Sequence, residues 1–319
     1  MGRLFLLGEE HVKPDAHSAI HEMLKNNPNL LFLTEKRADV LDLRKALARG
    51  ERQQEGLLLG QHDGNFALQR IFDDASVHHE NIHSIDADGT TSLFLTRKTD
   101  QEVQQFLTSD SPQETINGLI TETDKYDTLT GGNERLIGQS NGSRLSIREL
   151  RNKIMANNIA SFIEENPEKD IVVLCGAAHL CRTDLRLDQP ALPSAAEGHY
   201  RKSLIDYLSE KGVISERIDE VQVYLEDNPT NFFYRQNLQI ISTQIQSLYP
   251  TLPVKSFSSD LAVLTETLKA NQQPEVILSG AVAAPLLLPQ QEVTHSESKA
   301  EEVRKREEEQ KTSGDSGRF

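Results

Sequence analysis

The sequence predicts an α/β fold: a mainly parallel β-sheet flanked by helices, followed by a C-terminal helical appendage and a disordered tail. Three observations carry that expectation. The runs Leu4–Leu7, Leu30–Leu33 and Ile171–Cys175 are short, wholly apolar and bounded by polar or glycine positions, which suits strands covered on both faces. Helical periodicity fills the spaces around such runs, so strands and helices alternate. From Gln290 to Phe319 the chain is nearly all polar and contains the run Glu301-Glu302-Val303-Arg304-Lys305-Arg306-Glu307-Glu308-Glu309. That composition cannot bury enough apolar surface to offset its ordering entropy.

Leu4–Leu7 is the first expected strand. Pro14–Lys25 is the first helix: Ala16, Ile20, Met23 and Leu24 share a face, and Pro14 sits in the first turn, where its missing N–H costs nothing. Leu30–Leu33 closes a strand–helix–strand unit. Asn81–Asp86, with Ile82 and Ile85, makes a third strand. The polar stretch Thr96–Gly142 reads as an insertion of short helices and a glycine-dotted loop. Ser146–Glu165 is the clearest helix, with a capping-box pattern at Ser146 and Glu149 and an apolar face of Ile147, Leu150, Ile154, Phe162 and Ile163. It leads into the Ile171–Cys175 strand. Tyr200–Lys211 is a helix ahead of an alternating strand at Val221, Val223 and Leu225.

After Pro229 the alternation stops. Leu238, Ile241, Ile245 and Leu248 mark one amphipathic helix ending at Pro250, and Leu261, Leu264 and Leu268 mark a second. The apolar segment Val276–Leu288 is broken by Pro285 and too short to span a bilayer. The expected divisions are therefore an α/β domain at 1–228, a helical appendage at 229–289 and a charged tail at 290–319.

Composition excludes several function classes. The chain has 319 residues with 49 acidic against 34 basic, a net charge of −15. Nucleic-acid binders and polybasic membrane modules need positive charge to meet phosphates, so both are set aside. Two cysteines cannot build a disulfide framework or a four-cysteine zinc site, which points to a reducing environment. No apolar run is long enough for a transmembrane helix, and Met1-Gly2-Arg3-Leu4 lacks a signal-peptide layout. The expectation is a soluble protein of cytoplasmic character.

Two segments share one pattern. Leu4-Phe5-Leu6-Leu7-Gly8-Glu9-Glu10-His11 and Val172-Val173-Leu174-Cys175-Gly176-Ala177-Ala178-His179 are each an apolar strand followed by Gly-x-x-His. Chance pairing of the 18 glycines and 10 histidines gives roughly 0.6 such pairs. Both occurrences directly follow a strand signal, and ligands of open parallel sheets bind at the carboxyl ends of strands. Carboxylates cluster at equivalent places: Glu9 and Glu10 in the first turn, Glu35 after the second strand, Asp86 and Asp88 after the third. With His11 and His179 they form a set suited to a divalent zinc, manganese or cobalt ion, or to acid/base chemistry through paired groups.

Weaker patterns stand beside it. His17 and His21 lie one helical turn apart but lack the glutamate of a His-Glu-x-x-His site. Gly138-Gln139-Ser140-Asn141-Gly142 matches Gly-x-Ser-x-Gly but has only Leu136-Ile137 before it, so a flexible loop is the better account of Ser140. Cys175 falls in the middle of an apolar strand and reads as a core residue.

Gly8-Glu9-Glu10-His11, with His17 in the following helix, resembles the opening Gly-Glu-x-His motif of the superfamily holding ChaN-like haem-uptake proteins, Tiki and TraB proteins and erythromycin esterases. Glu35 falls where that family keeps a glutamate closing its second strand. Arg151-Asn152-Lys153-Ile154-Met155-Ala156 resembles its Arg-Asn-x-x-Met-Ala helix, and Val173–Leu180 its second Gly-x-x-His. The resemblance covers roughly residues 3–228. It implies an α/β fold with a site between the two histidine turns, in which His11, Glu35 and His179 are metal ligands or acid/base groups, Glu9 or Glu10 assists, and Arg151 stabilises negative charge. The implied activity is hydrolysis of peptidase or esterase type, with an unidentified substrate such as a host protein or peptide. Binding of haem or a host protein without catalysis is the alternative. The interposed segments 96–142 and 181–199 depart from the family pattern and bear on substrate identity. The glutamate block near the C-terminus resembles the translocation signal of type IVB-secreted bacterial effectors, which implies recognition by a secretion machinery and action inside a host cell.

Overall fold

The computed structural model describes residues 2–9, 15–51, 63–122, 124, 143–182, 201–214, 220–226 and 232–270. Its frame is a six-stranded, all-parallel sheet in the order β3-β2-β4-β1-β5-β6. The strands are β1 (Leu4–Glu9), β2 (Leu31–Thr34), β3 (Ile82–Ser84), β4 (Ile171–Gly176), β5 (Val221–Leu225) and β6 (Val254–Ser256). The expected α/β class with a parallel sheet is what the chain adopts.

The continuous apolar runs are explained by two-sided burial. Along β1, Leu4 and Leu6 join one hydrophobic cluster while Phe5 and Leu7 join the other, because successive side chains of a strand point to opposite faces. One face is covered by α7 (Ser143–Glu165), α8 (Leu204–Glu210) and α9 (Phe232–Leu248), through Met155, Ile159, Leu204, Leu208, Ile241 and Ile245. The opposite face is covered by α1 (Asp15–Asn26), α2 (Ala38–Ala48), α3 (Asp63–Asp73) and α10 (Phe257–Ala270), through Ile20, Met23, Leu41, Leu68, Ile71 and Leu264. A third, smaller cluster lies where α4 (Gly89–Thr96), α5 (Asp100–Leu107) and α6 (Pro112–Asn117) meet the first half of α7. α5 and α6 lie within the stretch Thr96–Gly142, where short helices were expected, while α4 leads into it and residues 125–142 lie outside the described residues. Among the described residues no helix is long and apolar enough to cross a membrane.

Two sequence expectations change. Ser146 was expected to cap its helix, but α7 begins at Ser143. Ser146 lies inside it and donates its hydroxyl to Asp100 of α5, so the side chain ties two helices together instead of ending one. The described part of the expected helical appendage at 229–289 belongs to the sheet layers. β6 pairs in parallel with β5, Val223 opposite Val254 and Leu225 opposite Ser256. α9 then packs on one face and α10 on the other. The chain thus continues the strand–helix alternation past Pro229. The Val276–Leu288 segment, the tail from 290 with its glutamate block, and Ser140 with its glycine-flanked motif lie outside the described residues.

Leu264 tests this integration. It is 2% exposed, and truncating a buried leucine costs about 2–5 kcal/mol. Leu264→Ala therefore lowers the urea midpoint of the main unfolding transition. A helix standing apart from the sheet domain would leave that midpoint unmoved.

Candidate functional site

Parallel strands deliver their last residues to one edge, and here that edge is polar. Asp86 follows β3, Glu35 follows β2, the Gly176–His179 turn follows β4, Glu9 ends β1 and Glu226 follows β5. The ladder hydrogen bonds run on into these residues: Ile85 N–H donates to Thr34 O, Glu35 N–H to Leu174 O, and Glu226 N–H to Gly8 O. Each acidic side chain therefore starts from rigid backbone.

Glu35 is the hub. One carboxylate oxygen accepts from Arg151 Nη2 at 3.3 Å, and the other accepts from the Gly176 N–H at 2.6 Å. Asp86 takes the same guanidinium bidentately, from Nε at 2.9 Å and Nη2 at 2.5 Å. Planar fork-to-carboxylate pairing fixes orientation as well as charge. Burial alone would depress the Arg151 pKa, but Asp86 and then Glu35 reverse this and raise it above the usual guanidinium value. His179 completes the group. Its Nε2 is 3.6 Å from Glu35 Oε2, its Nδ1 is 2.5 Å from Asn152 Oδ1, and the ring is almost wholly enclosed.

Glu9 lies on the other side of the sheet edge. It neighbours His17 of α1, with Nδ1 to Oε2 at 3.5 Å, and both residues are buried. The structure thus brings together His179, Glu35, Asp86 and Arg151, and places Glu9 in a separate pair with His17. Glu10 and His11 lie outside the described residues.

Burial pushes the Cys175 thiol well above its ordinary pKa, with Glu35 and Glu9 adding to the effect. The thiol stays protonated at neutral pH, which suits a core residue and neither a nucleophile nor a thiolate ligand.

A metal ion needs several donors aimed at one point. Asp86 directs both oxygens at Arg151, Glu35 divides its oxygens between Arg151 and Gly176 N–H, and His179 Nδ1 faces Asn152. Among the described residues no group of three or more His, Cys, Asp or Glu side chains is placed to hold a metal ion. The described carboxylates fit a guanidinium better than a divalent cation.

Two residues of this region were missed in the sequence. Asn152 carries no metal-ligand or acid/base signature, and only its place beside Arg151 in the same helical motif could have marked it. Glu226, just past the end of β5, is fully buried. For Glu226 the signal existed: it directly follows an alternating strand, as Glu35 and Asp86 follow theirs. The second Gly-x-x-His turn is anchored just beyond its end. Arg182 donates Nε and Nη2 to Asp206, and the Tyr249 hydroxyl donates to the same carboxylate. Burial would raise the Asp206 pKa, but these donors and Ser203 hold it below the usual carboxylate range.

No family model matches the chain, and no curated protein matches its sequence. Among solved structures, an erythromycin esterase, EreC, in the open conformation of a mutant has a TM-score of 0.36 and 11% identity, covering 70% of this chain and 70% of its own. A Bacillus cereus protein of known crystal structure has a TM-score of 0.36 and 12% identity, covering 72% and 73%. Neither likeness assigns a role to any residue here.

Replacing Arg151 tests the ion triad. Arg151→Met leaves Asp86 and Glu35 facing each other without a cation. Breaking a buried pair costs about 3–5 kcal/mol. The Arg151 side chain is 27% exposed, so a loss on the order of 2–3 kcal/mol in urea unfolding at neutral pH is expected. A change under about 0.5 kcal/mol would mean that the triad contributes no more than a surface pair.

Proposed function

We propose that the chain is a hydrolase of carboxylic-acid derivatives, of esterase or peptidase type, that activates water at His179 with help from Glu35. The observation that carries this is the buried arrangement of His179 Nε2 at 3.6 Å from a Glu35 carboxylate that Arg151 holds in place. A base that removes a proton from water becomes an imidazolium, and a neighbouring carboxylate stabilises that charge as it forms. The Arg151 contacts to Asp86 and Glu35 run through Nε and Nη2. Nη1 makes no bond among the described residues, and the side chain is partly exposed. That leaves a donor for the oxyanion that develops on a carbonyl oxygen under attack. The location at the carboxyl edge of a parallel sheet, where such folds place their ligands, supports the same reading. So does the resemblance of both Gly-x-x-His segments and the Arg-Asn helix to a superfamily that contains hydrolases.

On this reading the chemistry needs no metal, because Arg151 supplies the positive charge beside the carboxylates. Delivery into a host cell through the C-terminal glutamate block remains a separate proposal, tested by a translocation reporter fused to full-length and tail-deleted chains.

The experiment is turnover of a panel of activated esters, lactones and peptides. His179→Ala and Glu35→Gln each reduce kcat by about 10²–10⁴-fold, the usual contribution of a general base. Dialysis against EDTA leaves the rate within about twofold. Absence of turnover across the panel, or full activity in His179→Ala, defeats the proposal. Loss of activity in EDTA with recovery on adding zinc or manganese replaces it with a metal-dependent mechanism.

A further inference from the structure

The side chain of Asn152 sits on α7 one residue beyond Arg151 and is 1% exposed. Its Nδ2 donates to the Lys202 carbonyl at 2.9 Å, and its Oδ1 lies 2.5 Å from His179 Nδ1. The Lys202 N–H donates in turn to Glu149 Oε1 at 3.2 Å. Residues three apart on a helix face the same way, so Glu149 and Asn152 hold the N–H and the C=O of a single residue.

This arrangement decides where the proton on His179 sits. A backbone carbonyl oxygen can only accept, so the amide must turn its NH2 towards Lys202. That leaves Oδ1 facing the ring. Oδ1 also only accepts, so the ring nitrogen opposite it must carry a hydrogen. The neutral ring is then protonated at Nδ1, with its lone pair on Nε2 directed at Glu35. Both Nε2 and an ionised Glu35 oxygen are acceptors, and at 3.6 Å they invite a proton-bearing group between or beside them.

We infer that Asn152 is a positioning residue: anchored on the Lys202 carbonyl, it locks His179 in the Nδ1–H tautomer and so makes Nε2 the basic atom of the site. The tautomer follows from the hydrogen-bond geometry alone. The consequence for catalysis rests on the hydrolase reading above. Fixing a tautomer through the far ring nitrogen is a common way of aiming an imidazole. The unusual element is the anchor, which makes the aim of the base depend on the backbone that enters α8.

The test is two-bond 1H–15N NMR of the full chain labelled with 15N-histidine, above the ring's titration range. The His179 signals are identified by their loss in His179→Gln. The expected spectrum shows His179 protonated at Nδ1 in the native protein. In Asn152→Leu the ring shifts towards the Nε2–H form, and kcat falls about 10²-fold or more, as expected when a general base loses its reactive form. In Asn152→Asp the ring keeps its Nδ1–H, and the acid limb of the rate profile moves to higher pH, because the new carboxylate stabilises the imidazolium. A native His179 protonated at Nε2 overturns the inference, and this measurement needs no variant of Asn152. An unchanged tautomer in a folded Asn152→Leu overturns it equally. An Nδ1–H ring in a chain that hydrolyses nothing in the panel upholds the Asn152 tether and defeats the hydrolase reading alone.

Discussion

Glu35 links four elements of the structure through one carboxylate. Its backbone continues the ladder between β2 and β4, one oxygen takes the Gly176 N–H, and the other takes the Arg151 guanidinium. Arg151 then reaches Asp86 beyond β3. Strands β3, β2 and β4 are therefore tied to α7 at their carboxyl ends by charge-assisted bonds. The apolar packing lower down the sheet is non-directional, and it would tolerate small shifts of α7 along its axis. The carboxylate–guanidinium contacts would not, since bidentate geometry fixes distance and angle together. The position of the helix, and with it of Asn152, follows from this contact.

A sheet covered on both faces has only its strand ends left for polar chemistry. In this chain those ends are divided. On the α7 side are Arg151, Glu35, Asp86 and His179; on the α1 side are Glu9 and His17. For Glu35 and Glu9 the division follows from strand alternation. Leu33 and Ile85 face the α7 side, and Glu35 follows Leu33 by two residues, so it points the same way. Glu9 follows Phe5 and Leu7 in steps of two, which face α1. Adjacent strands can thus present histidine–carboxylate pairs at the same height on opposite sides of the edge.

What was legible in the sequence follows from the same geometry. β1, β2 and β4 stand out because burial on both faces demands uninterrupted apolar residues. β6 does not, because Val254–Ser256 is an edge strand of three half-buried residues with a single apolar side chain. Without it, the helices on either side looked detached from the sheet. Ser146 and Glu149 formed a persuasive capping pattern, yet their side chains serve contacts 46 and 53 residues away in the chain. Local patterns report local hydrogen bonds well and cannot foresee such partners. Arg151 and Asp86, 65 residues apart, are invisible as a pair to any spacing argument. Each was identified separately, one by its place after a strand and the other by a motif. Asn152 escaped because an asparagine acquires its role here only from the two groups that it bridges.

The paired Gly-x-x-His motifs also have a packing rationale. β1 and β4 are neighbours, with Gly8 opposite Cys175 and Glu9 opposite Gly176. A Cβ at Gly8 would lie 3.1 Å from Ala177 Cα and 2.8 Å from a methyl of Leu180, both in the turn that carries His179. Real side chains seldom come so close to backbone, and overpacking a tight site costs typically 1–3 kcal/mol. The glycine of the first motif therefore makes room for the turn of the second. A larger residue at position 8 would press on the Ala177 backbone and on the Leu180 side chain of that turn. The close approach of Gly8 to the Ala177–Leu180 turn joins the glycine of the first motif to the turn of the second, so the placement of His179 is coupled to a glycine in the neighbouring strand.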